Sequence, residues 1–197
     1  MSTLLHVWAD GDAPRVADHP AVVGTRTYER VADYAYAGPV GRRWLTLHDL
    51  RPGTDATDVV PAGDDVGPVT VFEQISPANG GWLTADGPTA EGELPVGKAV
   101  LSVVMDVAEA GLDVFHGWYD EEHLPKLVAV PGIDAARRFR AVGGDLAVPG
   151  RHRFLALYEF SGLDVLDTPA WAEAAQMTPR TELVVPHVEI NSQICTR

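Results

Sequence analysis

The stretch PGIDAARRFRAV, residues 131–142, has a counterpart in PAVVGTRTYERV, residues 20–31. One laid over the other aligns a proline, an arginine, an aromatic residue and two aliphatic positions in the same order. A second pair of stretches, PVGRRWLTLHDL at 39–50 and PGRHRFLALYEF at 149–160, aligns at almost the same offset. Self-similarity at a fixed separation indicates a repeated structural unit. The sequence therefore predicts an ancient duplication that built the chain from two related halves.

Each half contains the same succession of patterns. An apolar strand pattern is followed by a helical one, by two strands joined through Gly and Pro, by a second helical segment and by a last strand. The order β-α-β-β-α-β is that of the split-βαβ, ferredoxin-like unit, so the predicted class is α+β. The first helix is poorly marked near 11–18 but long at about 110–128. The predicted organisation is a first unit at 1–75, a Gly/Pro/acid-rich linker at 76–98 and a second unit at 99–197.

Alternation along the strands divides their side chains between two faces. In the pair 44–50 and 154–160, leucines occupy one face, and we expect this face to lie under the helices. The opposite face mixes aromatic and polar residues, as in small-molecule pockets. Two four-stranded sheets that meet through these mixed faces would enclose a pocket. The residues expected to line it from the strands are His6, Trp8, Trp44, His48, Phe154 and Tyr158.

Composition excludes some classes of partner. The net charge is −13, with 15 basic residues against 28 acidic ones. Binding to nucleic acid or to an anionic membrane depends on Lys and Arg contacts, so both partners are disfavoured. No signal-peptide pattern and no bilayer-spanning apolar run is found, and Cys195 is the single cysteine. A soluble, cytoplasmic protein is the simplest expectation.

The second half resembles the EthD-like branch of the dimeric α/β-barrel superfamily. The resemblance rests on DVFHGWYDEEHLPKLVAVPGIDAARRFRAV followed by RHRFLALYEF, and it extends over about residues 99–175. It implies two ferredoxin-like units that pair their sheets in a barrel, here within one chain as an intrachain pseudo-dimer that can itself form a homodimer. The first half lacks the helix motif. The residues that match the family pattern are Trp118, Tyr119, Glu122, His123, Pro131, Gly132 and Arg137.

His123 is the leading candidate for a general acid or base. An imidazole exchanges a proton near neutrality, a carboxylate such as Glu122 can orient it, and Tyr119 or Tyr158 can donate to a developing oxyanion. The alternative interpretation is structural: Trp118 and Tyr119 anchor the helix, and His123 caps its C-terminus.

Charged residues of the strands form a second group of candidates. Arg137, aligned with Arg26, can bind a substrate carboxylate, although an ion pair with Glu122, Asp106 or Glu29 is the favoured interpretation. Asp106, at the end of a strand, is also expected to face the pocket. No His, Cys, Asp or Glu spacing resembles a metal motif, and no Gly-rich loop predicts a nucleotide site.

The leading hypothesis is a cofactor-independent enzyme that acts on a small apolar, aromatic or polyketide-like molecule. Proton transfer by His123 would drive an isomerisation, cyclisation, decarboxylation or oxidation. A haem-using enzyme with an axial histidine, a non-catalytic binder of a hydrophobic metabolite and an accessory subunit remain as alternatives.

Overall fold

The computed structural model describes residues 2–10, 16, 19–33, 42–51, 53–55, 58–59, 66–79, 81–90, 97–144, 151–176 and 178–197. Ten strands are found among these residues: β1 Thr3–Ala9, β2 Val22–Asp33, β3 Trp44–Leu50, β4 Val66–Ser76, β5 Leu83–Thr84, β6 Gly87–Pro88, β7 Ala99–Ala108, β8 Ile133–Gly144, β9 Arg151–Phe160 and β10 Val188–Thr196.

The helix predicted at about 110–128 is confirmed, but it is not uniform. It begins with a 3-10 turn at Glu109–Gly111, continues as α1 at Leu112–Trp118, widens into a π-helical turn at Tyr119–His123 and ends as α2 at Leu124–Val128. Pro125 explains the widening, because it has no N–H to donate to the carbonyl of Glu121 and its ring crowds that carbonyl. The backbone N–H of Leu124 donates instead to the carbonyl of Tyr119, five residues back.

The remaining helical segments lie between β9 and β10. They are a 3-10 turn at Leu163–Asp167, α3 at Pro169–Ala174, α4 at Pro179–Val184 and a 3-10 turn at Val185–His187. Thr168 and Thr178 cap α3 and α4 by accepting from backbone N–H groups with their side chains. The helix predicted near 11–18 lies outside the described residues except for Val16.

The eight long strands form a closed antiparallel barrel. Their order is β4–β1–β3–β2–β10–β7–β9–β8, and β8 pairs back onto β4. The first four strands and the last four strands of the barrel follow the same internal order, since β4–β1–β3–β2 corresponds to β10–β7–β9–β8. The predicted α+β class is confirmed at this level. Within the segment predicted as a linker, β5 and β6 form a short hairpin, and Leu83 pairs with Ala136 of β8.

The prediction of which strand face lies under the helices is wrong. Four leucines are fully buried inside the barrel, in one cluster that contains residues of both halves: Leu45, Leu47, Leu155 and Leu157. Phe154, Ala156 and Tyr158 lie on the outer face, where they pack against the helical segment. Of the faces expected to enclose a pocket, those of β3 and β9 therefore point outwards, whereas that of β1, with His6 and Trp8, points into the barrel, whose middle is a shared hydrophobic core. Closure explains the arrangement, because inner faces that meet must be filled to the density of a core.

Candidate functional site

The candidate site lies between the helical segment 112–128 and the outer face of β7, β8 and β9. The ring of His123 stacks on the indole of Trp118, with 4.2 Å between centroids and 26° between planes. Tyr119 meets the same imidazole edge-on at 5.0 Å, and Tyr158 does so at 6.4 Å. The structure thus brings together five of the residues singled out from the sequence: Trp118, Tyr119, His123, Phe154 and Tyr158.

The two tyrosine hydroxyls of this layer are buried but weakly bonded. Tyr158 donates to the hydroxyl of Tyr119 at 3.4 Å, and Tyr119 donates to the sulfur of Met105 at 3.4 Å. An O–H···O bond is ordinarily about 2.7–2.8 Å long, so the hydroxyl pair is stretched. Burial raises the pKa of both tyrosines, and Tyr158 rises well above its ordinary range. Both hydroxyls therefore remain protonated and able to donate.

His123 is neutral at physiological pH. Burial is the main cause that lowers its pKa from 6.5 to about 3, followed by the charges of Arg138 and Lys126. Its side chain is partly exposed, and neither ring nitrogen has a hydrogen-bond partner among the described residues. A neutral imidazole with an unengaged nitrogen can accept a proton or a hydrogen bond from a bound molecule. Lys126 and Arg138 would then stabilise any anion left behind.

Arg138 was not predicted from the sequence, yet it is the main charge of this layer. Its guanidinium is fully buried, donates to Asp120 at 2.6 Å and to Nδ1 of His116 at 3.0 Å, and lies 4.3 Å over the ring of Tyr119. Its Nε has no partner among the described residues. The sequence did contain a signal for Arg138: in AARRFR, residues 135–140, strand alternation places it on the face opposite Arg137. A buried arginine on each face of a strand requires partners on both.

Other predicted site residues lie elsewhere. His6 and Trp8 point into the barrel, where Nε2 of His6 is 3.2 Å from the hydroxyl of Ser102. Burial lowers the pKa of His6 to about 4. Asp106 is bound by Arg153 through two contacts of 2.8 Å. None of these side chains belongs to the His123 layer, the group of aromatic residues packed between the helical segment and the outer face of the sheet.

The tryptophan and histidine side chains of β3 are also separate from the group around His123. Trp44 and His48 lie on the outer face of the first half, because Leu45 and Leu47 occupy the interior. Nδ1 of His48 is 2.9 Å from the hydroxyl of Thr25, and burial lowers its pKa to about 4.

Arg26 and Arg137 form buried ion pairs, as the favoured interpretation predicted, but their partners are not the predicted ones. Both guanidiniums bind Asp49 at 2.9 Å, one on each carboxylate oxygen, and Arg26 also binds Glu159 at 2.6 Å. Glu122, expected near Arg137, is half-buried and makes no ion pair among the described residues. Asp49 and Glu159 are themselves aligned in the repeat, so equivalent residues of the two halves form one buried network.

Two further features are absent from the part of the chain that the structure describes. There, no group of three or more His, Cys, Asp or Glu side chains is placed to hold a metal ion. No helix in the described ranges is both long enough and apolar enough to cross a bilayer.

No protein-family model and no curated protein matches the sequence. Solved structures do match in fold. An anthrone oxidase-like protein is 12% identical with a TM-score of 0.53, over 100% of this chain and 91% of that one. A major regulator of staphylococcal pathogenesis is 7% identical with a TM-score of 0.53, over 98% of both chains. A dye-decolorizing protein from V. cholerae is 10% identical with a TM-score of 0.51, over 98% of this chain and 92% of that one.

At these identities the likeness concerns the fold alone. The closed antiparallel barrel is thus a fold that this chain shares with the matched structures. Fold does not determine chemistry, so activity must be argued from the site.

Proposed function

We propose that this protein binds a small, largely apolar aromatic or polyketide-like molecule between the helical segment and the outer face of the sheet, and that His123 transfers a proton to or from it. The observation that carries the proposal is the neutral imidazole of His123, which has no hydrogen-bond partner among the described residues and is held against Trp118. Stacking fixes the orientation of the ring before a ligand arrives, as catalysis by positioning requires.

Proton transfer at this site produces an anion, and the surrounding hydrogen-bond donors can stabilise it. A substrate with an acidic O–H or C–H group would give its proton to a ring nitrogen of His123 and become a phenolate or enolate. The hydroxyls of Tyr119 and Tyr158 and the free Nε–H of Arg138 are donors for that oxygen. The negative charge would in turn raise the pKa of His123, which favours transfer. Return of the proton to a different atom of the substrate gives isomerisation or cyclisation. Decarboxylation and dioxygen-dependent oxidation would pass through the same kind of anion, an enolate or a phenolate.

The proposed function does not require a cofactor. The rings of Phe115, Tyr119 and Phe154 are packed behind His123 with centroids 5.0–5.1 Å apart, which leaves no gap of porphyrin size in that aromatic stack. A haem-using enzyme with an axial histidine is the alternative, and a spectrum distinguishes the two. A spectrum without a Soret band after addition of haem would support the cofactor-independent proposal, and a stoichiometric Soret band would refute it.

We further propose that the chain is an EthD-like member with tandem ferredoxin-like units at 1–75 and 99–197. The identical strand order of the two sets of four strands supports this assignment, and so do the matched residues around Trp118 and His123.

A purely binding role is the second candidate function. The low pKa of His123 favours it, because a weak base accepts few protons unless the ligand supplies the opposing charge. A ligand recovered unchanged after long incubation with the protein would support binding over catalysis.

The proposal is tested by turnover of aromatic compounds with an acidic or enolisable position, beginning with anthrone and followed by absorbance and mass spectrometry. His123→Gln should lower turnover by at least about 100-fold, the usual contribution of a general acid or base. The control is His152→Gln, since His152 is exposed at the start of β9. Undiminished turnover in His123→Gln, with the same thermal stability as the wild type, would contradict the role assigned to His123.

A further inference from the structure

A second polar cluster lies inside the barrel, on the opposite face of the sheet from His123. Three N–H donors in it have no acceptor among the described residues: Nε of Arg26, Nε of Arg137 and Nε1 of Trp82. The three residues are 6%, 2% and 1% exposed, so solvent does not satisfy these groups. A buried donor without a partner costs about 1–3 kcal/mol, and native proteins contain few of them.

These three residues belong to one cluster. The guanidinium carbon of Arg137 lies 3.7 Å from the ring centroid of Trp82, and that of Arg26 lies 5.2 Å from it. Both arginines bind the carboxylate of Asp49 through their terminal nitrogens, which leaves Nε unused on each. The Trp82 segment is fixed in place by Gln74, whose amide donates to the carbonyl of Gly81 at 2.7 Å.

The charged groups of the described residues around this cluster pair with one another. Arg26 and Arg137 face Asp49 and Glu159, while Arg197 adds a third guanidinium through its contact of 3.4 Å with the hydroxyl of Tyr28. Tyr28 donates in turn to Glu159 at 2.9 Å. Two buried carboxylates therefore oppose two buried guanidiniums, and Arg197 is exposed, so the unpaired N–H donors and not a net charge define the site.

We propose that this cluster is a buried binding site for one small monovalent anion, a halide or a short carboxylate, held by Nε–H of Arg26, Nε–H of Arg137 and the indole N–H of Trp82. An anion accepts hydrogen bonds from all three donors without bringing hydrogens that need acceptors of their own. A water molecule would satisfy two donors but would add two hydrogens that need acceptors. The site is independent of the function proposed for His123.

Occupancy of this site would join the two halves of the chain. Arg26 comes from β2, Arg137 from β8 and Trp82 from the connection between the halves. A ligand that binds only the folded state shifts the unfolding equilibrium by a factor of 1 + [L]/Kd, so the anion should stabilise the protein in a saturable manner.

The test combines thermal unfolding with crystallography in bromide. Melting temperature is measured against sodium bromide, chloride or formate, with ionic strength held constant by sodium gluconate, whose anion is too large for the site. We expect a saturable rise with the small anions; a larger response to bromide and chloride identifies a halide site, and a larger response to formate identifies a carboxylate site. Crystals grown in bromide should show an anomalous peak beside Nε of Arg137 and Nε1 of Trp82.

Trp82→Phe removes one donor and retains the aromatic packing. We expect the apparent affinity for bromide to fall at least about tenfold, because a hydrogen bond to a charged group is worth about 1.5–3 kcal/mol. Trp44→Phe is the matched control, since Trp44 lies on the outer face of β3, and its response should equal that of the wild type. Equal responses of wild type and Trp82→Phe would overturn the proposal. If Trp82→Phe does not fold, the wild-type crystals decide: a water at the donors without a bromide peak overturns it.

Discussion

The imidazole of His123 lies flat on the indole of Trp118 although the two residues are five positions apart in the chain. In a regular α-helix, residues five apart point in directions that differ by about 140°, because each residue turns the chain by about 100°. The π-helical turn at Tyr119–His123 removes part of that rotation and brings the two rings together. The stack that orients the proposed base is therefore a product of local backbone geometry.

Pro125→Ala tests this relationship. The alanine restores an N–H that can donate to the carbonyl of Glu121, so the segment can return to α-helical winding and the His123–Trp118 stack should be lost. The ring protons of His123 should then lose the ring-current shift that Trp118 imposes, as seen in histidine-selective NMR spectra. Pro131→Ala, in the exposed turn after α2, is the control and should leave the shift in place. An unchanged shift in Pro125→Ala would show that proline does not cause the π turn.

Arg138 should add to the effect of burial in lowering the pKa of His123. Its positive charge disfavours a second cation nearby, and it is one of the causes that hold the pKa of His123 at about 3. We expect the His123 resonances of the wild type to stay constant from pH 8 to pH 5, and Arg138→Met to raise the pKa towards the ordinary value of 6.5. Arg138→Lys retains the charge and should keep the pKa low. A wild-type midpoint near 6.5 would contradict the neutral state described for His123.

Tyr158→Phe should separate stability from ligand binding. Its hydroxyl makes only a long bond to Tyr119, so its removal should change the free energy of unfolding by less than about 1 kcal/mol. Binding of a phenolic ligand should weaken about tenfold, because one donor for the ligand oxygen is lost. Tyr28→Phe provides the reverse pattern: its hydroxyl donates to Glu159, so stability should fall by about 1.5–3 kcal/mol while binding is retained. Equal binding by Tyr158→Phe and wild type would remove Tyr158 from the site.

The network that joins the halves should contribute far more to stability than a surface ion pair. Glu159→Gln leaves the buried Arg26 without one of its two carboxylates, and we expect a loss of about 3–5 kcal/mol in urea denaturation. Glu29→Gln breaks the exposed pair with Arg43, where the side chains are 42% and 63% exposed. That change should cost less than about 1 kcal/mol. Similar losses for the two variants would show that the buried network is not what connects the halves.

The sequence supported the prediction of the α+β class and the main helix, because repeats and turn residues are local signals. It did not reveal which strand face turns inwards. Leu45 and Leu47 on one face and Trp44 and His48 on the other are both compatible with burial, and both faces are in fact covered. Only closure of the sheet, which pairs β4 with β8, decides between them.

The same limit explains the partial success at the site. The helix motif indicated Trp118, Tyr119 and His123 directly, since these residues are neighbours in the chain. Arg138 joins them only through the fold, and Asp49 meets Arg137 only because strands from different halves face each other across the barrel. Alignment of the repeat pairs Arg26 with Arg137 and Asp49 with Glu159 as equivalent positions, but equivalence by itself does not state which of these residues touch.

The central claim, that ligands bind in the His123 layer and not inside the barrel, is tested most directly by histidine and tyrosine ring NMR spectra recorded during titration with an aromatic alcohol such as 2-naphthol. The account predicts saturable shifts of His123 and Tyr158, with His6 and His48 unchanged. Shifts confined to His6, with His123 and Tyr158 unaffected, would contradict it.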